Sequence, residues 1–196
     1  MKAKEFWKNF KKLFEEGSNS LKNAQKYWDN QREFTNKFIN EYLPSIMKEK
    51  ETVTTEFEYY RIDIIAYDNK RKYEAEEIAK SLGLSKTEFS PYLWDLEIAL
   101  EHENNKKEWL DEVVKLSHIN CPLRIVIGYV DENNEEKCRM LASRVLQKRI
   151  GNNTSDGQEF MLILGKSGIS GEQVNENTYS AYVYKKETFV HIEDYD

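Results

Sequence analysis

Proline and glycine are scarce, 3 and 8 of 196 residues. Collagen-like and low-complexity chains are thereby excluded, and an aromatic content of 13% argues against disorder. No run approaches the ~18 uncharged apolar residues of a membrane span. The opening stretch, MKAKEFWKNFKKLFEEG, lacks an apolar signal core and a small-residue cleavage site. The two cysteines, Cys121 and Cys138, fit neither a CxxC nor a Cys/His metal spacing, and read as inert thiols in a reducing compartment. The expectation is a cytoplasmic protein with no membrane partner. A Gly-rich phosphate loop, a GxSxG elbow and an HExxH pair are also missing, which removes the readings that depend on them. The length suits one domain rather than two.

What is abundant is charge, 33% of residues, with 29 basic against 35 acidic side chains for a net −6. It is unevenly spread. Residues 1–50 carry 11 Lys and Arg against 7 Asp and Glu, a balance of +4; residues 51–196 carry 18 against 28, a balance of −10. An acidic total opposes sequence-blind polyanion binding over the whole surface, yet leaves room for a local basic groove or an acidic site that holds a cation.

Phe6, Phe10, Leu13 and Phe14, with Trp7 beside them, recur at helical spacing. Gly17 breaks the pattern and Ser18 to Ser20 can cap the next helix. Leu21, Ala24, Trp28, Phe34, Phe38 and Tyr42 continue it to about Lys48, with Pro44 expected to kink it or start a new turn. Residues 1–50 are thus expected to form a helical arm that covers a core or a homodimer partner, and residues 51–196 an α/β domain. The stretch Thr52–Tyr67 is rich in β-branched and aromatic residues, as strands are. Asp68-Asn69 reads as a turn and Glu74–Leu82 as a helix ended by Gly83. Strands are expected over Tyr92–Glu103, Leu123–Val130, Phe160–Leu164 and Tyr179–His191, with helices over Lys107–His118 and Glu135–Arg149. The fold class that follows is α/β, a central mixed sheet flanked by helices with an N-terminal helical extension.

The segment Trp94 to Asn104 (WDLEIALEHEN) carries the chemistry. On a strand, Trp94, Leu96, Ile98 and Leu100 share one face with His102 at its end, and Asp95, Glu97, Glu101 and Glu103 share the other. Such a face is solvated, paired with basic side chains, or bound to a divalent cation. Asp63 lies within apolar sequence (Arg61-Ile62-Asp63-Ile64-Ile65), where a charge needs a partner or a metal. Arg61 shares its face and is one such partner. If the two strands are neighbours, Asp63, Glu101 and Glu103 can converge. His102 reads most simply as a packed histidine.

Asp63 ending one strand, Glu101-His102-Glu103 ending the next, then a helix and an apolar strand, resembles the PD-(D/E)XK nuclease superfamily. The stretch EIALEHENNKKEWLDEVVKLSHINCPLRIVIGYV (97–130) carries most of the likeness. The resemblance implies a restriction endonuclease-like core. It assigns Asp63 and Glu101 as metal carboxylates, with Glu103 at the position usually held by lysine, as ligand or general base. Lys115 on the following helix then stands as a migrated positive charge, and Glu41 as a helix-borne acid. The implied cofactor is Mg²⁺ or Mn²⁺, and the implied activity is hydrolysis of phosphodiester bonds, in DNA. Backbone contacts to nucleic acid are expected from Lys70, Arg71 and Lys72 and from Lys137, Arg144 and Lys148 on one helix face. The alternative is a catalytically inactive nuclease-like fold used for protein interaction or assembly.

Overall fold

The computed structural model describes residues 1–15, 30–48, 51–59, 61–84, 96–151, 157–169 and 174–195, without the side chains of Arg71, Lys72, Ala75, Glu132 and Glu176. Several expectations fall outside these: the Ser18–Ser20 cap, Leu21, Ala24, Trp28, the start of the strand at Tyr92 with Trp94 and Asp95, and the side chains of Arg71 and Lys72.

Helix α1 (Ala3–Lys12) forms where Phe6, Trp7 and Phe10 align on one face, and all three are buried. Its first free amide, that of Ala3, is capped from a distance by Glu159 Oε2 at 2.9 Å. Helix α2 (Gln31–Lys37) begins at Asn30, whose side chain accepts from the Glu33 amide. It runs through a π-helical turn (Phe38–Tyr42) into α3 (Leu43–Met47). Pro44 has no N–H to give, and the ladder is reset one step earlier, where the Leu43 amide reaches back to Phe38 O. The expected kink is therefore a change of hydrogen-bond register in a continuous helical path.

Seven strands form one sheet in sequential order: β1 (Val53–Tyr59), β2 (Ile62–Asp68), β3 (Leu96–His102), β4 (Leu123–Val130), β5 (Glu159–Lys166), β6 (Tyr179–Lys185) and β7 (Thr188–His191). β1 to β3 are antiparallel, β3 to β5 parallel, and β5 to β7 antiparallel. Two segments expected as single strands are hairpins instead. Residues 52–67 fold back on themselves, with Arg61 at φ 63°, and residues 179–191 fold back through Lys186 and Glu187, at φ 50° and 68°. Asp68 is not a turn residue but the N-cap of α4 (Asn69–Ser81), accepting from the Lys70 amide at 2.8 Å.

α5 (Trp109–Ser117) and α6 (Glu135–Ile150) cross over between the parallel strands. They cover one face of the sheet, burying Trp109, Val113, Leu116, Ala142 and Leu146 against Ile65, Ala99, Val126 and Leu162. The N-terminal helices cover the other face, burying Phe6, Phe10, Phe34 and Phe38 against Leu100, Ile127, Tyr129 and Tyr179. Among the described residues of the arm, the apolar face is thus occupied within the chain. Among the described residues, no helix is long and apolar enough to cross a membrane.

Candidate active site

β2 enters the sheet where β3 leaves it, because the two are antiparallel. The register pairs Ile64 with Leu100, so Asp63 and Glu101 take the next opposed positions, at the carboxyl edge of β3. Both face α5. Asp63 Oδ2 accepts the backbone N–H of His102 at 2.8 Å. Burial raises the Asp63 pKa, and that N–H offsets part of the rise; the Glu58 carboxylate across the hairpin adds to it. Glu101 is only 2% exposed. Burial pushes its pKa up to about 8, against the pull of Lys115.

Lys115 comes down from the second turn of α5. Its Nζ lies 2.7 Å from Glu101 Oε1 and 2.5 Å from Glu112 Oε2, and donates to Arg61 O at 2.8 Å. Burial alone would lower the Lys115 pKa, but its bonds to the two carboxylates outweigh that and raise it. The left-handed conformation of Arg61 turns its carbonyl toward the ammonium, while its side chain is exposed and takes no part. Sequence reasoning missed Glu112. Its signal was the i,i+3 spacing to Lys115, which on an amphipathic helix reads as an ordinary surface pair.

Other expected site residues are not brought here. Alternation would place Glu103 beside Glu101, but β3 ends at His102. The chain turns, and Glu103 Oε1 accepts the Asn105 amide at 2.6 Å. Among the described residues, no set of three or more His, Cys, Asp or Glu side chains is arranged to hold a metal ion. Glu41 is exposed on the opposite side of the sheet and pairs with Lys37 at 3.0 Å. Lys70 starts α4 beyond the far end of β2. Lys137, Arg144 and Lys148 are exposed on α6, which runs from the carboxyl edge toward the opposite one, so Lys148 lies farthest from Glu101.

His102 points to the arm side. Its Nε2 meets Tyr129 Oη at 3.0 Å, which meets Tyr179 Oη at 3.2 Å, and its ring packs edge-on against Phe38. Complete burial lowers its pKa to about 3, so it is neutral and structural.

No protein family, curated protein or solved structure matches the chain. The site therefore has to be read from its own chemistry. It comprises two opposed carboxyls of raised pKa, Asp63 and Glu101, and one ammonium that donates to a backbone carbonyl and pairs with Glu101 and with a third acid, Glu112.

Proposed function

We propose that the protein is a metal-dependent nuclease of restriction endonuclease-like fold that hydrolyses phosphodiester bonds, with DNA as substrate. The observation that carries the reading is the convergence of Asp63, Glu101 and Lys115 from β2, β3 and α5. Perturbed acids gathered with a cation at a sheet edge are more typical of working sites than of surface ion pairs.

The donor set fits a hard cation. Mg²⁺ and Mn²⁺ sites on phosphate enzymes commonly use one or two carboxylates and leave the other positions to water and substrate, so a closed three-acid cage is not required. Asp63 and Glu101 would hold the ion, which would lower the pKa of a bound water and neutralise charge on the scissile phosphate. Glu101 must give up its proton to do so. Lys115 stays charged at neutral pH and supplies the positive charge usually provided by a lysine at the position of Glu103. There it orients the attacking water or faces a phosphate oxygen. Glu112 keeps the ammonium in place. Arg144 and Lys70 are solvent-facing and available to a nucleic-acid backbone.

The test is incubation with Mg²⁺ or Mn²⁺ and supercoiled DNA, single-stranded DNA or RNA. Nicking is expected, with at least a hundredfold loss in Asp63→Ala and Lys115→Met at unchanged circular dichroism. Equal cleavage by Asp63→Ala would overturn the assignment.

One feature favours the second reading, an inactive nuclease-like interaction module. Glu101 is almost fully buried and already in contact with Lys115. On that reading Mn²⁺ leaves the melting temperature unchanged, whereas a native-state metal site raises it.

A further inference from the structure

The two edges of the sheet differ. β7 has four residues and passes directly into the turn Ile192–Asp194, a short edge of the kind that resists pairing. β1 runs for seven residues, Val53–Tyr59, without lysine, proline or glycine, the residues that usually blunt an edge. Among the described residues, β2 alone pairs with it. Glu58, left-handed at φ 53°, interrupts the strand and confines the straight edge to Val53–Phe57. Phe57 at its end is 41% exposed.

The Asn69 N–H donates to Thr52 O at 2.8 Å. Antiparallel strands alternate bonded and non-bonded pairs, so Thr54 and Glu56 also bond β2, while Val53, Thr55 and Phe57 turn N–H and C=O to the outer edge. Side chains alternate in the same way. Val53 and Phe57 lie on the arm side, and Thr54 and Glu56 lie on the side of α5 and α6, opposite Tyr67 and Ile65. Both polar residues keep bonding capacity in reserve. Thr54 Oγ1 accepts from Asn69 Nδ2, which leaves its own O–H to donate. Glu56 Oε1 accepts from Tyr67 Oη at 2.8 Å, which leaves Oε2 to accept.

We propose that β1 pairs antiparallel with β1 of a second copy about a two-fold axis at Thr55, giving one sheet continuous across a homodimer. Opposed residues of a sheet share a face, so the axis falls at a residue and not between two. At Glu56 it would set two carboxylates directly against each other. At Thr54 it would leave the ring of Phe57 facing Glu51. At Thr55 it sets Val53 against Phe57 of the second copy, a β-branched–aromatic pair. It also sets Thr54 against Glu56 of the second copy, so that the spare O–H meets the spare carboxylate oxygen at the closer, non-bonded type of pair. Val53, Thr55 and Phe57 then exchange about six main-chain hydrogen bonds with their counterparts. The ladder uses neither Asp63 nor Glu101, and stands whether or not the protein cleaves DNA. An interface of this length lies at the low end of specific complexes, so dissociation in the micromolar range is expected.

Sedimentation velocity of the full chain over about 1–200 μM tests the pairing. The mass should rise from 23.3 kDa toward twice that value. Thr55→Pro removes an N–H that β2 does not use, and Thr55→Lys sets two ammonium groups against each other at the axis. Each should raise the dissociation constant about tenfold or more, with the melting temperature of the monomer kept within a few degrees of the parent. Single added cysteines in a Cys138→Ser background read the register. Thr55→Cys faces itself at a Cα separation of about 5.5 Å, which suits a disulfide, and should cross-link on oxidation about tenfold faster than Thr54→Cys, which does not face itself. A monomer at every concentration, unchanged affinity in both Thr55 variants, cross-linking no faster at 55 than at 54, or open-ended oligomers in place of a dimer would each overturn the proposal.

Discussion

The Lys115 ammonium donates to the Arg61 carbonyl and lies within ion-pair distance of Glu101 and Glu112. Removing it leaves the Arg61 carbonyl without its donor and the Glu101 and Glu112 carboxyls without their cation. Lys115→Met should therefore destabilise by about 1–3 kcal/mol, less than the ~3–5 of a fully enclosed pair because Lys115 reaches solvent. Urea denaturation measures it. The loss should shrink in a Glu101→Gln background, where the Lys115–Glu101 contact is already gone; an equal loss in both backgrounds would mean the two groups are uncoupled. Glu101 also sets a pH dependence. Its folded pKa of about 8 lies above the ordinary 4.5, so between these values the folded protein keeps a proton that the unfolded chain releases. Its contribution to stability therefore falls as pH rises from about 4.5 through 8. In Glu101→Gln that decline should be missing from a plot of melting temperature against pH. For the same reason Mn²⁺ binding should tighten with rising pH up to about 8, releasing a proton to unbuffered solution. His102 works with the opposite sign. Its folded pKa, about 3, lies below 6.5, so its contribution is lost as pH drops through that interval.

At the scale of elements, one close approach fixes how α5 meets the sheet. A methyl added at Gly128 would lie 2.6 Å from Trp109 Cγ and 2.8 Å from its Cβ, so α5 seats its first turn directly on the backbone of β4. Gly128→Ala must push the helix outward and should cost about 1–3 kcal/mol or more, measured by thermal unfolding. The shift would also carry Lys115 away from Glu101 and so lower activity. The strands of this sheet were legible in the sequence where burial dictated composition. Leu123–Val130, buried throughout, reads as a central strand, and the apolar residues of α1 recur at the helical period. The two hairpins were not legible. Arg61, Lys186 and Glu187 adopt left-handed backbone without being glycine, asparagine or aspartate, so no turn signature marks them. The same gap affected the site. Asp63 stands out because a charge interrupts apolar sequence and Glu101 because strand side chains alternate, whereas Lys115 is picked out only by the resemblance to the nuclease family. Alternation groups Glu103 with them only if it runs one residue past the end of β3. Glu112 was hidden because a charged residue on a helix looks solvated until the partner strand is in place.

Taken whole, the molecule is a sheet with two helical faces, and the candidate active site needs both. α5 carries Lys115, while the arm supports the other side of β3 through Phe38 against His102, the residue whose amide holds Asp63. The described part of residues 1–50, expected as an arm that covers a core, packs against the sheet. Phe6, Trp7, Phe10, Leu13 and Phe14 are all buried in the same cluster as Tyr129 and Tyr179 of the sheet. At roughly 1.5–3 kcal/mol each, these five side chains contribute on the order of 10 kcal/mol of burial. That is comparable to the ~5–15 kcal/mol by which whole domains are stable. Deleting residues 3–14 should therefore not yield a trimmed, active protein. It should abolish the cooperative thermal transition, expose the sheet face to dyes that bind apolar surface, and drive aggregation through the uncovered aromatic rings. A deletion variant that still unfolds cooperatively within a few degrees of the parent would show that the arm is a true appendage. In that case the support of β3 must come from α2 and α3 alone, and the contact of Phe38 with His102 becomes the next position to substitute.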